Sequence, residues 1–469
     1  MEQRQTGFPI AAIPPIPPRA IIAGAALITI VAAHLLASGR IKYGAALFLV
    51  ALYGPLVFFD LAAAFAVWVG VLFVQDLHSL SIAPNSMGVL VALGWLGAFA
   101  ARAGRLRVLR EHRRLIVGTI VFLIWMTVSA AWAHNPGRAE SQAGFWWLSG
   151  LALLITMTAL TDRRDVGIVV IAFVAGATVA AVIGLAGGGL YTASTAIGAT
   201  SNQGRLTGGG GDPNVQAAAF VAAMFLTMGL FSVYHHAVAR LMLLISFVLV
   251  TVAFFATQSR GGLIALGIAT VAALVLASGQ RSRIMAMVGL GAVIAVVAIA
   301  VQPGALGRIT NFGGGTSGRS DIWRVATKLW EQHPLVGIGT NNFEIAEPQF
   351  ARKIPNVSRV TYIAEKPDPA HNSYLQVLVE NGAIGLLMWL AVLVACLRAG
   401  WLAAREFDRT GLRAYGDLAR AVLMGTIGML SAIFFITDNT DWRLWVLLGL
   451  GPALLSLARH GPLRPPSAS

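Results

Sequence analysis

His371 is a titratable residue at the edge of a long apolar segment, where its side chain could act on a hydroxyl group. It stands two residues before "SYLQ" (373–376). Ser373 and Gln376 have the spacing of a capping box, which predicts an N-cap at Ser373 and a helix from Tyr374. The positive end of that helix favours a neutral imidazole, which can accept a proton from a hydroxyl. The alternative is that His371 is a polar interfacial residue that orders the loop.

Two arginines lie next to glycines and could bind an anion. Arg260 is in "TQSRGG" (257–262), between two apolar runs, and Arg319 follows "GGGTSG" (313–318) at the start of an amphipathic segment. Glycine allows a close backbone approach, and a guanidinium binds phosphate through two parallel hydrogen bonds. Arg205, in "NQGRLTG" (202–208), is a weaker candidate of the same kind. The alternatives are an anchoring arginine at 260 and a linker charge at 319.

The elements that must position these residues are membrane helices. The chain has 469 residues, of which 57% are hydrophobic and 12% charged, whereas soluble domains have about a quarter charged residues. We therefore predict an all-α polytopic membrane protein with 12–14 transmembrane helices and one large outward loop that contains short amphipathic helices. The region 43–75, interrupted by Pro55 and Asp60, is long enough for two short helices or for one helix and a re-entrant segment. The other predicted spans are 20–38, 87–101, 115–132, 144–160, 166–187, 213–233, 240–256, 263–277, 284–301, 374–397, 418–436 and 442–458.

The formal net charge of +14 comes largely from arginines in short loops between the apolar runs. This distribution is typical of cytoplasmic loops and argues against nucleic-acid binding. The loops predicted to face the cytoplasm are 102–114, 161–165, 278–283 and 398–420.

The same pattern divides the chain into membrane and non-membrane parts. We predict a disordered Pro-rich N-terminus (1–19) and transmembrane helices over 20–301 with a lid loop at 188–212. A large outward loop (302–373), C-terminal transmembrane helices (374–458) and a cytoplasmic tail (459–469) complete the chain.

The combination of outward arginines and one histidine suits a reaction at a lipid diphosphate. The arginines would neutralise the charge of the leaving diphosphate, and His371 would deprotonate the acceptor. The sequence has no Cys/His cluster with metal-ligand spacing, so we predict neither a metal nor a cofactor. The paired carboxylates of "DNTD" (438–441) are interpreted as a solvated turn.

Four segments resemble the O-antigen ligase / O-antigen polymerase superfamily. The signature region is "GRSDIWRVATKLWEQHPLVGIGTNNF" (318–343) followed by "HNSYLQVLVENGAIGLL" (371–387). The segments "TQSRGGLIAL" (257–266) and "RLTGGGGDPNVQAA" (205–218) also resemble family motifs. The resemblance implies a GT-C-like glycosyltransferase of the bacterial inner membrane. Such an enzyme uses an undecaprenyl-diphosphate-linked glycan at the periplasmic face, without metal or nucleotide sugar.

The resemblance also implies functions for particular residues. The essential groups of the family fall on Arg260, Arg319 and His371, the three residues singled out above by their types and positions. Further substrate-binding candidates lie in the same motifs, and no individual role follows for Asp212 or Asn214. These candidates are Arg205, Asp212, Asn214 and Asn372.

Two acceptors and one different class of protein remain open. A ligase of lipopolysaccharide biosynthesis would transfer the glycan to lipid A–core or a similar carrier. A polymerase would transfer it to another lipid-linked repeat unit, and no residue decides between a ligase and a polymerase.

The alternative from another class is a lipid-linked oligosaccharide transporter, which would place charges at mid-membrane and show repeated halves. Because the middles of the apolar runs are almost uncharged, the sequence favours an enzyme. The predicted partners are therefore the lipid-linked donor, a glycan or lipid A–core acceptor and membrane lipid.

Overall fold

A computed structural model describes most of the chain, and it is helical. The described residues are 17–75, 83–101, 105–187, 205–208, 211–276, 278–301, 319–354 and 367–461, with Val357, Ile363 and Glu365. They contain many helices and no β-strand. This confirms the all-α fold class. Residues 1–16, most of the predicted lid loop (188–212) and residues 302–318 lie outside the described part.

Every predicted apolar span corresponds to a helix. The region 43–75 forms two helices, which was one of the two alternatives for this region, and the described part of the large loop contains two short helices. The helices are α1 (Pro18–Ala37), α2 (Ile41–Phe59), α3 (Leu61–Val71), α4 (Ala83–Ala101), α5 (Arg105–Glu111), α6 (Arg113–Val128), α7 (Pro136–Ala159), α8 (Arg163–Leu185), α9 (Pro213–Val233), α10 (Ala237–Ala256), α11 (Arg260–Leu276), α12 (Arg281–Val301), α13 (Arg319–Trp330), α14 (Phe343–Ala351), α15 (Ser373–Arg409), α16 (Arg413–Ala432) and α17 (Trp442–His460).

Six helices of the described residues are long and apolar enough to cross a membrane, by length and composition. They support a multi-pass membrane protein, and the total of 12–14 crossings stays a prediction. These six are Pro18–Ala37, Arg113–Ala131, Arg163–Leu185, Pro213–Val233, Ala237–Ala256 and Ser373–Arg409.

Helix α9 forms the centre of the bundle. In its most apolar stretch 89% of the residues are buried inside the protein, against 6% in α1. Small residues allow α16 to pack closely on α9. At Gly425 of α16 even an added Cβ would lie only 3.2 Å from the carbonyl oxygen of Ala222 on α9. The position of α9 matters for function because the candidate residues Asp212 and Asn214 lie at its N-terminus.

Three of the four loops predicted to face the cytoplasm meet at one end of the bundle, the basic end. Arg283 lies 4.0 Å from Asp417, Arg163 covers the ring of Tyr415, and Arg164 is 3.2 Å from Asp60. Asp60 is also the N-cap of α3. Its pairing with Arg164 places this carboxylate beside a predicted loop rather than in the middle of the bundle.

Helix α15 is broken at Gly382, and the segment 334–343 pairs with the break. Gly382 has φ 68° and ψ −175°, a conformation essentially restricted to glycine. The amides of Ile338 and Gly339 donate to the carbonyls of Val379 and Glu380, at 3.1 and 2.8 Å. On the other side of the break, the amides of 383 and 384 donate to the carbonyls of 334 and 335. The break therefore fixes the large loop against the helix that His371 precedes.

Candidate functional site

The turn 433–438, between α16 and α17, holds the start of α15. The backbone amide of Ser373 donates to the carbonyls of Ile433 and Ile436, at 2.9 and 3.0 Å. The Ser373 hydroxyl donates to the same Ile436 carbonyl and accepts from the amide of Asp438, both at 2.9 Å. These bonds lie at the end of the bundle opposite the basic end, which we call the site end.

The N-cap of α15 is Asn372, so the prediction of Ser373 as N-cap was wrong. The Asn372 side chain accepts from the amides of Tyr374 and Leu375, at 3.0 and 3.1 Å. The Ser373 hydroxyl is not available for capping because it binds the 433–438 turn. His371 therefore lies directly before the N-cap, one residue closer to the helix than predicted.

The backbone of His371 is held in a left-handed conformation, with φ 49°. This conformation costs a non-glycine residue about 1–2 kcal/mol, so the surroundings must fix it. Ala370, directly before His371, is bound on both sides. Its amide donates to Oε1 of Gln376 at 2.8 Å, and its carbonyl accepts from Nε1 of Trp323 at 2.8 Å. Two helices, α13 and α15, therefore orient His371.

Arg319 is the first residue of α13 and acts electrostatically on His371. Burial lowers the pKa of His371, and the positive charge of Arg319 lowers it further, while Asp368, Asp212 and Glu344 oppose this change. Burial also lowers the pKa of Arg319, against the charge of Asp212. The structure thus brings Arg319, Asp212 and His371 within range of one another's charge, and the lowered pKa favours the neutral, proton-accepting form of the imidazole.

Arg205 is buried in bonds to the protein that shape the turn before Arg260. Its Nε donates to the carbonyl of Thr257 at 2.7 Å, and its terminal nitrogen donates to Oδ1 of Asn214 at 2.9 Å. The same Asn214 oxygen accepts from the hydroxyl of Ser259 at 2.9 Å. Asn214 therefore connects α9 to the Arg260 turn, and Asp212 caps α9 by accepting from the amides of Asn214 and Val215.

Arg260 is exposed at the start of α11, also beside the 433–438 turn. An added Cβ at Gly261 would lie 2.8 Å from the Cβ of Phe435, so the two turns are in close contact. The neighbouring ring of Phe434 packs 5.8 Å from Trp323, on the helix that Arg319 begins. The elements that carry Arg260, Arg319 and His371 thus all contact one turn.

The interpretation of "DNTD" as a solvated turn was wrong. Asp441 forms a 2.7 Å ion pair with Arg443, and their side chains are 5% and 2% exposed. Arg443 also donates to Oε1 of Gln216 on α9 at 3.2 Å. The pKa of Asp438 is raised well above its usual range by burial and by the charge of Asp441. The arginine two residues after Asp441, at the start of an apolar run, was the available signal for a buried pair.

Among the described residues, no group of three or more His, Cys, Asp or Glu side chains could hold a metal ion.

The pH dependence of activity should respond to Asp368, whose charge raises the pKa of His371. In Asp368→Asn that charge is lost, so the pKa of His371 should fall further below its usual value. The acidic limb of the kcat/KM profile, where His371 becomes protonated, should then move to lower pH. Glu140→Gln, which removes an exposed carboxylate that does not act on His371, is the control. A limb that stays in place in Asp368→Asn would show that His371 does not set it.

Residues 245–390 match the family model described as O-antigen ligase. The matched segment contains Arg260, Arg319, His371 and Asn372, whereas Arg205, Asp212 and Asn214 precede it. No curated protein matches the chain. The match covers about a third of the chain and falls on the signature segments and on the site end of a multi-pass helical bundle, and it supports the O-antigen ligase / O-antigen polymerase superfamily to which the sequence was expected to belong.

Proposed function

We propose that the protein transfers a glycan from undecaprenyl diphosphate to an acceptor hydroxyl, on lipid A–core or a similar carrier, at the periplasmic face of the bacterial inner membrane. The observation that carries this proposal is that Arg319 lies near enough to the half-buried His371 for its charge to lower the pKa of the imidazole. A cation and a proton acceptor in one neighbourhood are what a diphosphate leaving group and a hydroxyl nucleophile require.

The proposed reaction is a single displacement at the anomeric carbon. His371 takes the proton of the acceptor hydroxyl as its oxygen attacks, and the bond to the diphosphate oxygen breaks. Arg319 and Arg260 bind the diphosphate and stabilise the negative charge that it gains on leaving.

Four further residues support the reacting groups. Asn372 fixes the start of α15 next to the base. Arg205 and Asn214 act by holding the Arg260 turn, and Asp212 supports the charge of Arg319. A single attack from the opposite side inverts the anomeric configuration.

Arg260→Lys should weaken donor binding, because an ammonium group cannot form the two parallel bonds of a guanidinium. Loss of one charge-assisted contact corresponds to about a tenfold rise in the Kd for a lipid diphosphate glycan. Binding can be measured on the purified protein in nanodiscs. Arg164→Lys, an exposed arginine at the basic end, is the matched control and should bind normally. Normal donor affinity and turnover in Arg260→Lys would remove Arg260 from the diphosphate site.

A deletion strain separates the proposed ligase from a polymerase. If the protein is a ligase, the strain should lack all attached glycan and accumulate lipid-linked polymer. If a single repeat unit is still attached, the acceptor is another lipid-linked repeat and the protein is a polymerase. Restoring the chromosomal gene should reverse either glycan pattern on a gel.

A further inference from the structure

Trp323 of α13 and Phe434 of the 433–438 turn form an aromatic pair at the site end that the proposed reaction does not use. Their ring centroids lie 5.8 Å apart, with an angle of 79° between the ring planes. The Trp323 side chain is half-buried, and Phe434 is 44% exposed. Ligand sites are lined predominantly by apolar and aromatic side chains. An open aromatic surface beside the candidate site can therefore contact a bound molecule.

Trp323 connects the proposed cation with the proposed base. It follows Arg319 by four residues, so the two side chains share a face of α13 and are about 6 Å apart along the helix axis. The indole N–H donates to the carbonyl of Ala370 at 2.8 Å, directly before His371. Because this bond satisfies the only polar group of the indole, the ring offers a bound molecule its apolar face and edges.

Phe434 connects the aromatic pair with the turn that carries Arg260. The next residue, Phe435, has its Cβ 2.8 Å from the position of a Cβ added at Gly261. The Phe434 ring also packs 6.3 Å from the ring of Tyr374, in the first turn of α15. The aromatic pair therefore lies beside all three elements that carry the proposed reacting groups.

A single displacement places the first sugar of the donor in this region. Its anomeric carbon must lie in line between the diphosphate oxygen that leaves and the hydroxyl oxygen that attacks. With the diphosphate at the two arginines and the hydroxyl at His371, the sugar ring would lie beside the aromatic pair. The C–H face of a pyranose is apolar, and its partly positive hydrogens complement the negative face of an aromatic ring. We propose that Trp323 and Phe434 bind the first sugar ring of the lipid-linked donor, an inference that rests on the proposed glycan transfer.

The position of α13 favours a sugar over the apolar chain of a lipid. Ile322, Val325 and Leu329 of this helix are buried in the small core of the large loop, which is distinct from the main core of the bundle. Trp323 therefore belongs to the large loop and not to a spanning helix. The sugar and the isoprenoid chain are attached to opposite ends of the diphosphate. A diphosphate at Arg319 can thus place the sugar on the loop and the chain in the membrane.

Binding of two defined lipids to the full-length protein in nanodiscs tests this proposal without measuring transfer. One lipid is undecaprenyl diphosphate, and the other carries a single glucose, whose equatorial hydroxyls leave C–H groups on both ring faces. Wild type should bind the glucosylated lipid more tightly than the sugar-free lipid. Phe434→Leu keeps an apolar side chain without an aromatic face. It should raise the Kd of the glucosylated lipid roughly three- to tenfold and leave that of the sugar-free lipid unchanged.

Further variants separate the aromatic face from packing and from the bond to Ala370. Phe434→Tyr keeps the ring and should bind both lipids like wild type, as should Phe145→Leu, which removes a ring of similar exposure, 48%, from α7. Trp323→Leu should lose the preference for the glucosylated lipid. Trp323→Phe, which keeps a ring but not the bond to Ala370, should retain most of this preference. Normal affinity for the sugar-free lipid shows that each variant is folded.

Three results would overturn the proposal. One is equal affinity of wild type for the two lipids. Another is an equal loss of both lipids in Phe434→Leu, which would indicate that the aromatic pair contacts the isoprenoid chain or anchors the protein in the membrane. The third is unchanged binding of the glucosylated lipid in both leucine variants.

The same measurements separate this inference from the proposed function. If the aromatic pair selects the glucosylated lipid but the protein forms no glycosidic bond, the sugar site is retained and the proposed transferase function is contradicted. If the protein transfers glycan and Phe434→Leu still prefers the glucosylated lipid as wild type does, only the sugar site is overturned.

Discussion

His371→Ala is expected to abolish glycan transfer while the protein still folds and binds its lipid donor. The variant has no group at this position that can take a proton from the acceptor hydroxyl. Loss of a general base lowers turnover by roughly 10²–10⁴-fold. The proposed diphosphate site depends on Arg260 and Arg319, which the change leaves in place. The measurement is the turnover of purified protein with a lipid diphosphate glycan and an acceptor, together with donor affinity in nanodiscs.

A second variant separates loss of the base from distortion of the backbone. His371 has a left-handed φ of 49°, and asparagine tolerates this conformation better than alanine does. His371→Asn should therefore keep the loop in place more fully and yet be as inactive as His371→Ala. Substantial transfer by His371→Asn, with normal donor binding, would show that the protein does not use His371 as its base.

Gly382→Ala is expected to detach the segment 334–343 from the broken helix α15. An added Cβ at Gly382 would overlap the backbone carbonyl of Leu335, and φ 68° with ψ −175° excludes other residue types. The backbone strain alone costs about 1–3 kcal/mol, and displacement of the paired segment adds to it. Because this segment follows α13 directly, Arg319 and the contact of Trp323 with Ala370 should also be disturbed. Both thermal stability and transfer should fall sharply.

Gly400→Ala provides a matched control within the same helix. An added Cβ there meets its nearest atom at 3.7 Å, an ordinary contact distance. This variant should unfold near the wild-type temperature and remain active, whereas Gly382→Ala should unfold earlier and be cut faster by protease in the large loop. Equal behaviour of the two variants would mean that the break in α15 does not hold the loop.

The helices could be predicted because their signal is local. Each apolar run is long enough to report a helix by itself, and the start of α9 at residue 213 and of α17 at residue 442 agree with the predicted spans. The cap of α15 could not be predicted in the same way. Ser373 and Asn372 are both good N-cap residues, and the choice depends on the 433–438 turn, which lies 60 residues further along the chain.

The residues of the candidate site also differ in how much of their role could be predicted from the sequence. Arg260, Arg319 and His371 could be singled out because their residue types suit the chemistry and they stand at the edges of apolar runs. Arg205 has the same local appearance, yet its guanidinium is buried against Thr257 and Asn214. The ion pair of Asp441 with Arg443 was missed because its burial depends on packing against Gln216 of α9. Residue type can be read from the sequence, but burial at a loop depends on contacts between distant elements.

The anomeric configuration of the product tests the proposed single displacement most directly. Purified protein is given a lipid diphosphate glycan of known configuration and an acceptor, without added metal, and the new glycosidic bond is identified by NMR. We expect a bond of inverted configuration. A bond of retained configuration, or movement of the glycan across liposomes with no new bond, would contradict the proposed mechanism.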